Sequence, residues 1–203
     1  MPEKRDKKGL TESEFLQTYQ AKNYPKPALT ADIVLFGTES DPSDQTLSVL
    51  LIRRGGHPFL DCWAFPGGFA NQNEPIEETA RREFLEETGL QNIPMRPVGL
   101  FSRPGRDPRG WVVSQAFFAQ VDRDSCKPIA GDDAAQTAWF RISYSDGDDN
   151  GGGLFILSHE QMEIQFRAQS NGESWTISDL SEERLAFDHA EILASAFRLL
   201  QAK

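Results

Sequence analysis

Apolar and polar residues alternate along the chain in short strand-like runs, interrupted by stretches with helical spacing. ADIVLFG (31–37) and TLSVLLIRR (46–54) flank the polar turn ESDPSDQ and predict two strands. WVVSQAFFAQV (111–121) is longer and mostly apolar, as a strand covered on both faces would be. MRPVGLFS (95–102) and AWFRI (138–142) are further strand candidates. GLFILS follows, and then EIQFRAQ-SNGES-WTIS predicts a hairpin around Asn171-Gly172. Helical spacing covers 75–88, with Pro75 at the first helical position and Gly89 where a left-handed terminating residue is wanted. It returns at 188–202, where Asp188 and Glu191 suggest a capping box and Ile192, Leu193, Ala196, Phe197 and Leu200 share a face. A shorter helix is expected over 11–21, started by a Thr11–Glu14 capping box. Strands and helices alternate without regular βαβ units. The fold class this implies is α/β, a mixed sheet with helices on both faces.

The length of 203 residues suits one domain with a real core. Residues 1–27 read as an N-terminal extension carrying the short helix, and 28–203 as the domain. Within it, 145–178 reads as a loop-and-hairpin insertion, its SDGDDNGGG (145–153) a mobile loop. With 38% hydrophobic and 26% charged residues, the chain is expected to be a soluble globular protein. No apolar run is long enough to span a bilayer, so no membrane partner is expected. The basic N-terminus has no apolar core after it and does not read as a secretory signal. Cys62 and Cys126 show no metal or disulfide spacing, which fits reduced thiols in a cytoplasmic protein. A net charge of −10 argues against a nonspecific grip on nucleic acid or anionic lipid. It leaves room for a small anionic ligand, because local arginines or a metal ion reverse the field.

Candidate chemistry concentrates in GGFANQNEPIEETARREFLEETGL (67–90). Like charges at helical spacing cost stability, so the crowding of glutamates there needs a cause. At about 100° per residue, Glu83, Glu86 and Glu87 lie within an arc of roughly 100°. Glu83 and Glu87 share their side of the helix with Ile76, Ala80 and Phe84, and that side should face the protein. Carboxylates held there without a cation would be costly. A hard divalent ion with oxygen ligands, Mg²⁺ above all, removes that cost. The simpler alternative is a solvated acidic face with Arg81 and Arg82 pairing locally. The preceding Gly-Gly turn, which lets backbone approach a ligand closely, favours the ion.

Gly68, Glu74, Arg82-Glu83-Phe84, Glu86-Glu87 and Gly89-Leu90, in this spacing, resemble the signature box of the Nudix hydrolases in every fixed position. The resemblance implies an α/β/α sandwich and Mg²⁺- or Mn²⁺-dependent hydrolysis of a nucleoside diphosphate linked to another group. It implies that Glu83, Glu86 and Glu87 hold metal, with a backbone carbonyl of Gly67 or Gly68 lent to the same ion. Arg82 would hold the acids by ion pairing, and Glu74 would fix the turn. The base that takes the proton of water stays open among the box glutamates, Glu160, Glu182 and Glu183.

FSRPGRDPRGWVVSQAFFA (101–119) sets Arg103, Arg106 and Arg109 around a Pro-Gly turn, where guanidiniums can grip a phosphate bidentately. Together with LLIRRGGHPFLDCWAFPGGF and LAFDHAEIL, this segment is similar to the ADP-ribose pyrophosphatase branch and its related regulators of NAD metabolism. Arg54 and Gly68 join those arginines as candidate substrate contacts. Trp63, Phe65 and Trp111 are weaker candidates for stacking on adenine, and His189 at a helix start reads as bland. The expected activity is cleavage of ADP-ribose, or a close relative, to AMP and ribose 5-phosphate. The alternatives are another nucleotide substrate (NADH, a nucleotide sugar, an oxidised nucleoside triphosphate) or an ADP-ribose-binding regulator. The regulator ranks last because no DNA-binding segment follows the final helix before Lys203 and the charge is acidic. The insertion at 145–178 offers either a pocket wall or a homodimer contact.

Overall fold

The computed structural model describes residues 3–20, 24–39, 46–129, 134–146, 153–172, 174–182 and 184–202. A short helix α1 (Glu12–Thr18) comes first, and both halves of the Thr11–Glu14 capping box form. The strands are β1 (Ala28–Thr38), β2 (Leu47–Arg54), β3 (Trp63–Ala64), β4 (Gly67–Phe69), β5 (Arg96–Phe101), β6 (Val112–Asp122), β7 (Ala134–Asp146), β8 (Gly153–His159), β9 (Met162–Ser170) and β10 (Trp175–Ser178). Two longer helices are α2 (Ile76–Thr88) and α3 (His189–Gln201).

One mixed sheet runs in the order β10-β9-β8-β7-β2-β1-β6-β5, with β3 added to β2 and β4 to β1. The long β1–β6 pair is parallel, and the other pairs between named strands are antiparallel. The segment expected as loop and hairpin continues this sheet as three strands, with β9 and β10 joined around Asn171-Gly172. Most of the expected SDGDDNGGG loop lies outside the described residues. Among the described residues no helix is long and apolar enough to cross a membrane.

Successive side chains of a strand point to opposite faces, and that alternation places the helices. Ile33, Leu35, Leu50, Phe117 and Ala119 form one buried cluster with Ala80 and Phe84 of α2. Val34, Phe36, Val49, Leu51 and Phe118 belong to the opposite cluster, with Ile192, Leu193, Ala196 and Phe197 of α3. The result is a sheet between α2 and α3: the mixed sheet with helices on both faces expected from the pattern, and the α/β/α sandwich that the resemblance implied.

Helix ends differ in detail from the sequence expectation. Pro75 is the residue before α2 rather than its first, with extended backbone. Gly89 closes α2 as expected, in the left-handed region at φ 70° and donating its N–H to Leu85 O. Asp188 precedes α3 but its side chain makes no capping bond. Its carboxylate is drawn instead onto Arg106, from 82 residues earlier in the chain.

Candidate active site

β1, β4, α2, the 54–57 loop, the 106–109 turn and the start of α3 enclose a cavity of about 620 Å³. Glu83 and Glu87 line it, one turn apart on α2. Phe84 between them is buried in the core, so the helix cannot rotate the two acids away without exposing it. Glu86 takes the other flank. Its side chain is 57% exposed, against 16% for Glu83, and it does not line the cavity. The structure thus brings two of the three expected metal ligands to the cavity and leaves Glu86 at its outer edge.

Arg82 organises the acids. Its Nε and Nη2 donate to the two oxygens of Glu74 at 2.9 and 3.0 Å. Nη1 reaches both Glu83 and, at 3.3 Å, Glu86, while Nη2 also donates to Phe69 O. Glu74 accepts further bonds from Asn71 N and Thr79 Oγ1. The Arg82 bonds, helped by these two, hold the Glu74 carboxyl down to a pKa of about 2. Glu74 and Arg82 therefore stay charged together and fix the turn that leads into α2.

Gly67 is required by contact, because a Cβ there would collide with the backbone carbonyl of Ala31; one on Gly68 would meet the Glu83 carboxylate, the movable end of a side chain. Gly67 N–H donates to Glu87 Oε2 at 2.7 Å. Even so, burial pushes the Glu87 carboxyl up to a pKa of about 8, with the charges of Glu83 and Asp32 adding to the push. Among the described residues, no three His, Cys, Asp or Glu side chains are gathered into a ready metal cluster. The donor set nevertheless fits a hard divalent ion: crowded, half-buried carboxylate oxygens whose mutual repulsion a cation relieves.

The rest of the lining includes a cationic and aromatic group. Arg54 donates to Pro58 O at 2.8 Å and lies over the Phe187 ring at 5.0 Å. Arg109 is held by Asp107 and lies over Phe69 at 4.7 Å and Phe187 at 5.6 Å. Burial and then the neighbouring Arg109 charge lower the Arg54 pKa. Two guanidiniums forced near one another beside a cavity suit an anion placed between them.

The other expected arginines fall elsewhere. Arg103 is exposed and pairs with Glu191 at 2.7 Å, outside the cavity. Arg106 reaches the cavity wall, but its side chain is 4% exposed and its Nε and Nη2 grip Asp188 at 2.8 and 2.6 Å. It is a buried tie between the 102–110 turn and α3, not a free phosphate grip. Trp63 is a core side chain and Trp111 is exposed, both outside the cavity lining, whereas Phe65 is buried and still borders the cavity. Glu160, in the β8–β9 turn, and Glu182 do not line the cavity, and Glu183 lies outside the described residues.

Two cavity residues had no role in the sequence reading. Asp32 sits buried in β1, accepting from Ser114 Oγ. Burial alone would raise its pKa, but His189, Ser114 and Arg106 hold it below the usual range. His189 is also buried, with Nε2 3.5 Å from Asp32 Oδ1. The available signals were a lone acid inside the apolar run ADIVLFG and the Asp-His pair opening the last helix.

A sandwich with this acid-lined helix beside a Gly-Gly turn has the architecture of a Nudix domain. The model of the family described as NUDIX domain matches residues 26–148. The ADP-ribose pyrophosphatase of Methanocaldococcus jannaschii is 36% identical over 140 residues, 69% of this chain and 76% of that protein. The ADPR responsive transcriptional repressor NtrR of Acinetobacter baylyi is 27% identical over 195 residues, 95% of this chain. This chain spans 62% of that repressor's length. The crystal structure of a MutT/nudix family protein from Enterococcus faecalis superposes with a TM-score of 0.78 at 37% identity, covering 96% of this chain and 71% of that one. The chain belongs to the Nudix family.

Proposed function

We propose that the chain hydrolyses the diphosphate of ADP-ribose, or of a close nucleoside diphosphate relative, to AMP and ribose 5-phosphate, using Mg²⁺ or Mn²⁺. The observation that carries this reading is the lining of one cavity, which holds the acids Glu83 and Glu87 together with the cations Arg54 and Arg109. Glu83, Glu87 and the carbonyl of Gly67 would hold the ion, with Glu86 close enough to join if it leaves Arg82. When bound, a divalent ion there neutralises phosphate charge, activates water and stabilises the leaving oxygen. Arg82 orients Glu83 through the bond from its Nη1. Arg54 and Arg109 would hold the phosphates, and Phe69 and Phe187, already beneath those guanidiniums, flank the space beside them. Of the candidate bases, Glu83 and Glu87 line the cavity, and either would take the proton of the attacking water.

ADP-ribose is favoured over other nucleotides by the similarity to the Methanocaldococcus pyrophosphatase. A second reading, an ADP-ribose-binding regulator, is supported by the likeness to the repressor over 95% of this chain. Incubation with ADP-ribose, NADH, nucleotide sugars and oxidised nucleoside triphosphates, each with Mg²⁺ or Mn²⁺, separates the readings. AMP and ribose 5-phosphate in equal amounts are expected from ADP-ribose. Saturable binding without turnover would favour the regulator.

A further inference from the structure

Leu185 to His189 do more than wall the cavity. Leu185 forms a parallel bridge with Trp63, and Ala186 N–H donates to Trp63 O at 2.8 Å. In a parallel ladder the next rung would take Phe65 N–H to Ala186 O. That oxygen is already used, because the chain turns into α3 and His189 N–H donates to it at 3.1 Å. The His189 ring fills the missing rung: Phe65 N–H donates to Nδ1 at 2.9 Å. The ring also stacks on the Phe65 side chain, with centroids 5.0 Å apart and planes at 13°.

A backbone N–H only donates, so Nδ1 carries its lone pair and the neutral ring has its proton on Nε2. Nε2 faces Asp32 Oδ1, and Asp32 is held in turn by Ser114. Beyond Phe65 the same segment is held by two further bonds. Pro66 O accepts from Ile33 N, and Gly67 N–H grips Glu87. A chain of contacts therefore runs from Asp32 through His189 to the strand that delivers the Gly67–Gly68 turn to the acids.

We propose that His189 is a positioning residue: oriented by Asp32, it anchors Phe65 and so fixes the Gly67–Gly68 turn against Glu83 and Glu87. Its effect on turnover rests on the hydrolase reading, whereas its effect on the ion site does not. Outer contacts that orient a metal site are typically worth about 10- to 100-fold in affinity or activity. His189→Phe keeps a stacked ring and removes the acceptor, while His189→Asn returns an amide oxygen near the Nδ1 position.

In His189→Phe, kcat for ADP-ribose should fall by about 10- to 100-fold with KM little changed, and Mn²⁺ binding without nucleotide should weaken comparably. His189→Asn should recover part of both. In the wild-type protein, ¹⁵N spectra should show His189 unprotonated at Nδ1 and protonated at Nε2, a readout that stands even if His189→Phe does not fold. A folded His189→Phe protein with wild-type Mn²⁺ affinity, or a wild-type ring protonated at Nδ1, would overturn the proposal. If the wild-type protein leaves ADP-ribose intact, the hydrolase reading fails, and Mn²⁺ binding and the ring spectrum still decide the role of His189.

Discussion

At the scale of single residues, the site separates acids that look alike in sequence. Glu83 and Glu87, four apart, both reach the cavity, whereas Glu86 turns outward on Arg82. Glu87→Gln is therefore expected to cut turnover of ADP-ribose by at least about 100-fold and to abolish stabilisation by Mg²⁺ in a thermal melt. Glu86→Gln should lose less than Glu87→Gln, and equal losses in parallel assays would show that Glu86 swings in to share the ion. Gly68→Ala places a methyl group inside the present position of the Glu83 carboxylate. Its turnover should drop while the melting temperature changes little, and an active variant would show that Glu83 can shift freely. The acids were legible because a helix converts spacing directly into a shared face. Asp32 and His189 were not, since their partners come from distant parts of the chain and no local pattern marks them.

Between elements, the arginines carry the lesson. Spacing around the Pro-Gly turn displays three positive charges but cannot say which carboxylate reaches them. Asp188 reaches Arg106 across 82 residues and accepts from its Nε and Nη2. Removing one partner of so buried a pair is expected to cost about 3–5 kcal/mol. Arg106→Ala should thus lower the denaturation midpoint of the ligand-free protein and loosen α3, which chemical denaturation measures directly. An unchanged midpoint with a selective loss of ADP-ribose affinity would restore the phosphate-binding role read from sequence. Arg109→Ala is the contrasting case, on a half-exposed side chain facing the cavity. It should raise KM for ADP-ribose by about 10-fold, the scale of one charge-assisted contact. Its midpoint should stay close to wild type.

The molecule as a whole is built from one sheet whose two faces are sorted by the alternation along β1, β2 and β6. That sorting was legible, because period-two burial and the apolar stripes of α2 and α3 agree. The continuation of the sheet through β8, β9 and β10 was only half legible. A hairpin signal fixes which strands pair locally but not the neighbour to which the hairpin adds. On the completed scaffold, acids and arginines line one cavity of about 620 Å³, and their service to a divalent ion and a diphosphate is the central claim. Its most direct test is to strip the protein with EDTA, supply ADP-ribose, and follow AMP as Mg²⁺ is titrated back. AMP should be absent at first and rise to saturation with the wild-type chain, and stay near the baseline with Glu87→Gln. Release of AMP in EDTA, or an equal rise in both proteins, would contradict it.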